Sequence, residues 1–199
     1  MLRGRRAYKE GPRHGALLLC GLLSVGLWLG GCAQVDTVRP QQPAAAAIAS
    51  AHPLATTAGF EILESGGNAF DAAVAVSAAL AVVEPYSSGI GGGGFWLLHR
   101  AADNFETMLD GRERAPQAAS RNMYLDAKGE VVPKLSMDGA LAAGIPGEPA
   151  ALAHLAERYG RLPLKKSLAP AIRYARDGFQ VDAVYQRLAE FRAEALQQS

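Results

Sequence analysis

Cysteine is nearly missing. The only thiols in the 199 residues are Cys20 and Cys32, so nothing after residue 32 can form a disulfide or a cysteine metal site. The histidines beyond the first 31 residues, His52, His99 and His154, form no i, i+4 pair, and no HExxH appears, which excludes a helix-borne zinc site. No Gly-Lys-Ser/Thr follows a glycine run, so there is no P-loop, and no Gly-x-Ser-x-Gly elbow exists, because Ser87-Ser88-Gly89 follows Pro85-Tyr86. Carboxylates are spread without an evident acid/base pair. Threonine is scarce: Thr37, Thr56, Thr57 and Thr107. No apolar run reaches the roughly 20 residues that span a bilayer. The residues therefore call for no cofactor and no metal, and they designate no catalytic residue.

Residues 1–31 have the order of an export signal. Arg3, Arg5, Arg6, Lys9 and Arg13 make a basic head, residues 16–29 an apolar run, and Gly30-Gly31 a small-residue step before Cys32. Leu29-Gly-Gly-Cys32 resembles a bacterial lipobox, in which the cysteine is acylated and becomes the new N-terminus; the competing reading is an uncleaved signal anchor. Removing residues 1–31 leaves 15 basic and 18 acidic residues, a net charge of −3. The basic excess is thus export chemistry, and no nucleic-acid surface is expected. The expected location is the cell envelope or periplasm, with a lipid anchor at Cys32. Residues 32–44, polar and with two prolines, read as a tether.

The folded part is expected from residue 45 on. Residues 45–51 suit a small-residue strand or a helix start. Residues 57–65 predict a helix stopped by Gly66-Gly67. Asn68 is placed to cap the next helix, with Asp71 at its third position. That helix, residues 69–83, is apolar all round and is expected to be buried on all sides. A membrane span is the alternative, opposed by its 15-residue length and the early aspartate. Further on, residues 117–135 read as a polar connection with a turn at 126–129, and residues 140–145 as a third or fourth strand. Residues 149–159, 170–177 and 182 onward read as helices, the last with Val184, Leu188, Phe191 and Leu196 on one side.

Residues 85–116 hold the functional interest. Pro85 ends the apolar helix, and five glycines follow within residues 89–94. Two apolar runs, 95–99 and 105–109, predict a β-hairpin. The glycines match GxGxxG formally, but a dinucleotide fingerprint needs strand, glycines, then helix; here helix precedes and strand follows. The remaining readings are a tight turn, or a place where the backbone approaches a ligand or another chain closely; the number of glycines favours close approach. The exit loop, Asp110-Gly-Arg-Glu-Arg-Ala-Pro116, carries four charges in five residues. An arginine at a strand end suits a carboxylate, because its planar fork binds both oxygens. The plain alternative for Arg112 is an ion pair with Asp110, Glu113 or a distant acid.

Taken in order, several segments resemble the N-terminal part of the γ-glutamyltranspeptidases (γ-glutamyltransferases, glutathione hydrolases). They are the run from Ala51 through Gly66-Gly-Asn-Ala-Phe-Asp71 to Val76, then Gly91-Gly-Gly-Gly-Phe95 and Asp110-Gly-Arg-Glu-Arg-Ala-Pro116. Gly144-Ile-Pro-Gly147 and Ala175-Arg-Asp-Gly-Phe179 complete the set. The resemblance covers about residues 45–180. It implies an α/β fold, an incomplete portion of an N-terminal-nucleophile hydrolase αββα sandwich, with residues 45–199 the front of the large subunit. It implies a precursor that cleaves itself, freeing a small subunit whose N-terminal threonine attacks a γ-glutamyl amide. The acyl-enzyme is then released to water or to an amino-acid or peptide acceptor, with glutathione or a related γ-glutamyl compound as donor. The family arginine that holds the α-carboxylate falls on Arg112; Arg114 stands at a variable position and inherits no role. None of the four threonines opens the Thr-Thr-His-like segment that carries the family nucleophile, so this chain is expected to be inactive alone. Few strands, and a last helix without a terminator, agree with the first part of a larger fold. The rival functions are a catalytically dead lipid-anchored protein that binds γ-glutamyl or amino-acid ligands, and an envelope protein with no ligand.

Overall fold

The computed structural model describes residues 46–197. Cys32, the signal segment, the tether and Ala45 lie outside the described residues.

The first helix, α1 (Pro53–Glu64), begins four residues before the expected start. Pro53 occupies the first turn, where its fixed φ fits and its missing N–H costs nothing. His52 supplies the cap: its Nδ1 accepts from Leu54 N at 3.1 Å. Residues 46–50, offered as a strand or a helix start, have no regular structure.

Helix α2 (Ala69–Val83) has the expected bounds and a full capping box. Asn68 Oδ1 accepts from the N–H groups of Phe70 and Asp71 at 2.9 and 3.0 Å, while Asp71 Oδ2 accepts from Asn68 N at 2.9 Å. Asp71 does more than cap. It is fully buried, and its oxygens also accept from Arg161 N (2.9 Å) and Leu162 N (3.3 Å). Asn68 Nδ2 in turn donates to Tyr159 O at 2.7 Å. One aspartate and one asparagine thus tie the start of α2 to the chain some 90 residues later.

That later chain folds as α3 (Glu148–Tyr159), the single turn α4 (Leu164–Ser167), α5 (Ala169–Asp177) and α6 (Ala183–Gln197). Gly160 and Gly178 stop α3 and α5 as expected. The turn α4 is too short to leave a periodic signal. Helices α1, α3 and α5 pack on α2 around Ala55, Ala58, Val74, Ala78, Ala79, Leu152 and Leu155. Full burial of a Leu155-sized side chain contributes about 1.5–3 kcal/mol. The small alanines let the helix backbones approach. The expectation that α2 is buried on all sides is corrected. Ala72, Val74, Ala75, Ala78, Ala79 and Val83 are buried, but Ala73, Val76, Leu80, Ala81 and Val82 are half-buried, because the neighbouring helices cover only part of its circumference.

The hairpin forms as β1 (Gly94–Arg100) and β2 (Phe105–Gly111), antiparallel, with Leu97 opposite Met108 and Arg100 opposite Phe105. Asn104, at φ 54°, closes the turn, and Arg100 forks onto both oxygens of Asp103 at 2.9 and 2.8 Å. Trp96, Leu98 and Leu109 join the helical core. Phe95, Leu97 and Met108 point to the other face and are exposed.

The expected three or four strands become two among the described residues. Residues 140–145 are not a strand: Ala140–Ala142 is a 3₁₀ turn, and only Ile145 pairs, with Arg114. The ladder cannot extend, because Pro146 has no N–H and the N–H of Gly147 is engaged by Gly92 O. The turn at 126–129 is present; Asp126 Oδ1 accepts from Lys128 N and Glu130 N. Helix α6 forms, but no residue on it is buried, and Phe191 is 82% exposed. No helix of the described residues is long and apolar enough to cross a membrane.

Candidate functional site

Three segments meet where β2 ends: the glycine-rich loop before β1, residues 110–114, and the entry to α3. Gly92 O accepts from both Gly147 N (3.0 Å) and Glu148 N (3.1 Å). Arg114 and Ile145 exchange two backbone hydrogen bonds, at 3.0 and 2.8 Å. Asp110 Oδ1 accepts from Arg112 N at 3.0 Å, fixing the turn out of the strand. The backbone of Arg112 is therefore anchored on both sides in sequence.

Two glycines make this clasp possible. A Cβ on Gly93 would stand 2.8 Å from Arg112 Cα and 2.8 Å from Glu113 N, and would collide with Gly111 O. A Cβ on Gly147 would stand 2.6 Å from Arg112 O and collide with the same Gly111 carbonyl. Neither glycine has a positive φ. They are needed for space, not for a left-handed conformation. Close approach of the glycine run is seen at Gly93, and there the partner is the chain's own backbone at Arg112 rather than the ligand or other chain expected; a Cβ on Gly91 would meet open space.

The side chain of Arg112 lines two open clefts. One, about 430 Å³, is bounded by Ser87, Ser88, the glycine loop, Trp96, Glu113 and Glu148. The other, about 350 Å³, is bounded by Asp110, Arg114, Ile145, Pro146, Ala150 and His154. Arg112 is 54% exposed, and its side-chain partner is Glu113, with Nη1 3.4 Å from Oε2. That contact lacks hydrogen-bond geometry: Glu113 Oε2 is buried and accepts no hydrogen bond. The ion-pair alternative for Arg112 therefore exists, but only as a loose single contact of the kind worth about 1 kcal/mol or less. It leaves the fork available to a bidentate ligand. Burial raises the pKa of Glu148 above the usual carboxylate range.

What the site contains is binding chemistry. Ser87 and Ser88 line the larger cleft and His154 the smaller one, so these hydroxyls and that imidazole do not share a cleft. The described threonines are elsewhere: Thr56 Oγ1 lies 2.8 Å from Ser50 Oγ, Thr57 Oγ1 donates to Pro53 O, and Thr107 is on β2. His52 is a helix cap and His99 pairs with Glu106 on the exposed sheet face, at 3.1 Å. Among the described residues no cluster of His, Cys, Asp or Glu is placed to hold a metal ion.

Of the residues singled out in the sequence, Arg112 is in this site and Cys32 lies outside the described residues. Sequence reasoning missed Glu148, the two serines and Trp96. The juxtaposition of residues 144–147 with the arginine loop also left no trace in spacing, because the two are joined by long-range pairing. The only local signal was Pro146-Gly147 ahead of a helix.

Comparison with known proteins agrees with this picture. Residues 55–199 match the family model described as gamma-glutamyltranspeptidase. The chain is 43% identical over 162 residues to a glutathione hydrolase proenzyme of Escherichia coli, covering 81% of this chain and 28% of that one. It is 52% identical over 121 residues to the corresponding proenzyme of Pseudomonas aeruginosa, covering 61% and 21%. It thus spans about a quarter of the curated relatives it matches. Among solved structures, the gamma-glutamyltranspeptidase of Helicobacter pylori superposes with a TM-score of 0.72 at 44% identity, over 76% of this chain and 43% of that one. The enzyme from Pseudomonas nitroreducens, complexed with L-DON, gives 0.73 at 41%, over 79% and 47%. The expected fold class, an α/β portion of that family's sandwich, holds. With its described fold, its arginine loop and its match over residues 55–199, the chain belongs to the γ-glutamyltranspeptidase family, as the N-terminal part of the large subunit.

Proposed function

We propose that this chain serves γ-glutamyl hydrolysis or transfer, and that Arg112 holds the α-carboxylate of the γ-glutamyl donor. The observation that carries this reading is the anchored, half-exposed guanidinium with one loose 3.4 Å partner, lining a cleft. A carboxylate offers such a fork two parallel charge-assisted hydrogen bonds. Relatives named glutathione hydrolase make glutathione or a similar γ-glutamyl compound the donor of choice.

The chemistry is acyl transfer. A threonine hydroxyl attacks the γ-glutamyl amide carbonyl, its proton passes to the departing amine, and an ester remains on the enzyme. Water or an acceptor amine then takes the acyl group. None of the described threonines lines either cleft, so in this scheme the nucleophile comes from a small subunit of the same precursor. The binding step is testable in the active full-length enzyme. Arg112→Lys keeps charge but loses the fork, and should raise the KM for γ-glutamyl donors, a loss of about 2–5 kcal/mol. An unchanged KM removes the assignment.

The basic head, the apolar run and Leu29-Gly-Gly-Cys32 support an envelope or periplasmic location, with the mature protein anchored to the membrane through acylated Cys32. Mass spectrometry of the mature N-terminus should find lipid on Cys32; an uncleaved signal or a bare cysteine would end that proposal.

A further inference from the structure

The smaller cleft holds a second arginine whose presence the α-carboxylate does not explain. Asp110, Arg112 and Arg114 alternate along the chain and all line this cleft, whereas Glu113 lines the other. Neither nearby acid pairs with Arg114: Asp110, in the same cleft, accepts the Arg112 N–H through Oδ1, and Glu113 has its loose contact with Arg112. Among the described residues the guanidinium of Arg114 has no ion-pair or hydrogen-bond partner. Its root is nevertheless fixed, by the two backbone hydrogen bonds with Ile145. A guanidinium on an anchored backbone, with no direct partner and beside an apolar wall of Leu109, Ile145, Pro146 and Ala150, suits a ligand carboxylate carried on a small peptide. Two residues of extended chain separate the roots of Arg112 and Arg114 by about 7 Å. A γ-glutamyl tripeptide extends over about 10 Å and carries a carboxylate at each end. We propose that Arg114 is a specificity residue, binding the C-terminal carboxylate of a γ-glutamyl peptide while Arg112 holds the α-carboxylate of the γ-glutamyl group. This rests on the donor-binding reading of Arg112 above.

The test compares two donors in the active full-length enzyme: glutathione and its C-terminal amide, which differ only in the carboxylate at issue. The wild type should favour the acid by about tenfold in kcat/KM, the size expected for one hydrogen bond to a charged group. Arg114→Gln should erase that preference by lowering kcat/KM for the acid while leaving the amide unchanged, and Arg114→Lys should keep part of it. An acid-to-amide ratio that survives Arg114→Gln overturns the proposal, as does an equal loss on both donors. Arg112→Lys should weaken both donors alike. If it weakens neither, the Arg112 assignment falls, and the Arg114 ratio is still read independently.

Discussion

Two acidic side chains in this molecule are treated in opposite ways. Asp71, in the helical layer, is fully buried and accepts three backbone N–H groups, one from nearby Asn68 and two from the distant residues Arg161 and Leu162. Glu113, in the clasp around Arg112, has a buried oxygen that accepts no hydrogen bond and whose ion-pair contact is one guanidinium nitrogen, 3.4 Å away. Burying an acceptor without a donor costs roughly 1–3 kcal/mol. Asp71 is thus saturated and holds the helical layer together. In that layer the Ser167 hydroxyl on α4 is the one buried side-chain group left without a hydrogen-bond partner among the described residues, while the clasp leaves hydrogen-bonding capacity unused beside an open cleft. Capacity of that kind, on an anchored backbone beside an open cleft, is what a ligand site requires. It also separates two kinds of damage. Changes in the first region should unfold the protein, and changes in the second should weaken binding in a protein that still folds.

The sharpest test is Asp71→Ala. Three backbone donors lose their acceptor in a buried place, and stability should fall by about 3 kcal/mol or more, read from the midpoint of chemical denaturation. If stability barely changes, Asp71 is not the fastener its geometry implies. Gly147→Ala should act on the other region. The new methyl collides with the backbone beside Arg112, costing about 1–3 kcal/mol of strain. Most of the visible effect should be a raised donor KM in the full-length enzyme, since the backbone that shifts is the one carrying the guanidinium. A stability loss with an unchanged KM would erase the distinction between the regions.

A smaller effect concerns Glu148. Its folded pKa is raised by burial, so the native state holds a proton more tightly than the unfolded chain does. The resulting penalty is absent below the ordinary glutamate pKa, grows as pH rises from there toward the elevated folded value, and levels off above it. Glu148→Gln should therefore stabilise slightly at pH 7 and not at pH 4, measured by thermal melts at both values; the opposite sign would mean that the α3 N-terminus outweighs desolvation. The smallest effect belongs to Phe191→Ser on α6, within about 0.5 kcal/mol for so exposed a side chain. A larger loss in the full-length protein would mark that face as covered by another segment.

Much of the local structure was legible in the sequence. The cap at Asn68, the bounds of α2, the hairpin with its turn near Asn104, and the stops at Gly160 and Gly178 are all decided within a few residues. The start of α1 lies four residues before the expected one because His52, a rare cap, and Pro53 in the first turn begin the helix ahead of the threonine pair. Residues 140–145 were misread as a strand because apolar content alone does not say whether a partner exists; Pro146 and the diverted Gly147 N–H decide that. The loop carrying Arg112 was legible through charge and through resemblance, but the clasp around it was not. Gly93 and Gly147 lie 54 positions apart and meet only because the hairpin and α3 converge on one backbone.

The sequence by itself determined the longer helices, the hairpin and the turn at 126–129, the family, and Arg112 as an arginine suited to a carboxylate. Those depend on short-range sterics, capping and side-chain chemistry carried along the chain. Tertiary structure alone decided that Asp71 fastens two distant segments and that Arg112 stands between two clefts with a single weak partner. It also decided that Arg114 has none among the described residues. Burial and hydrogen-bond partners across 50 to 90 residues are properties of packing, and packing exists only once the chain has folded.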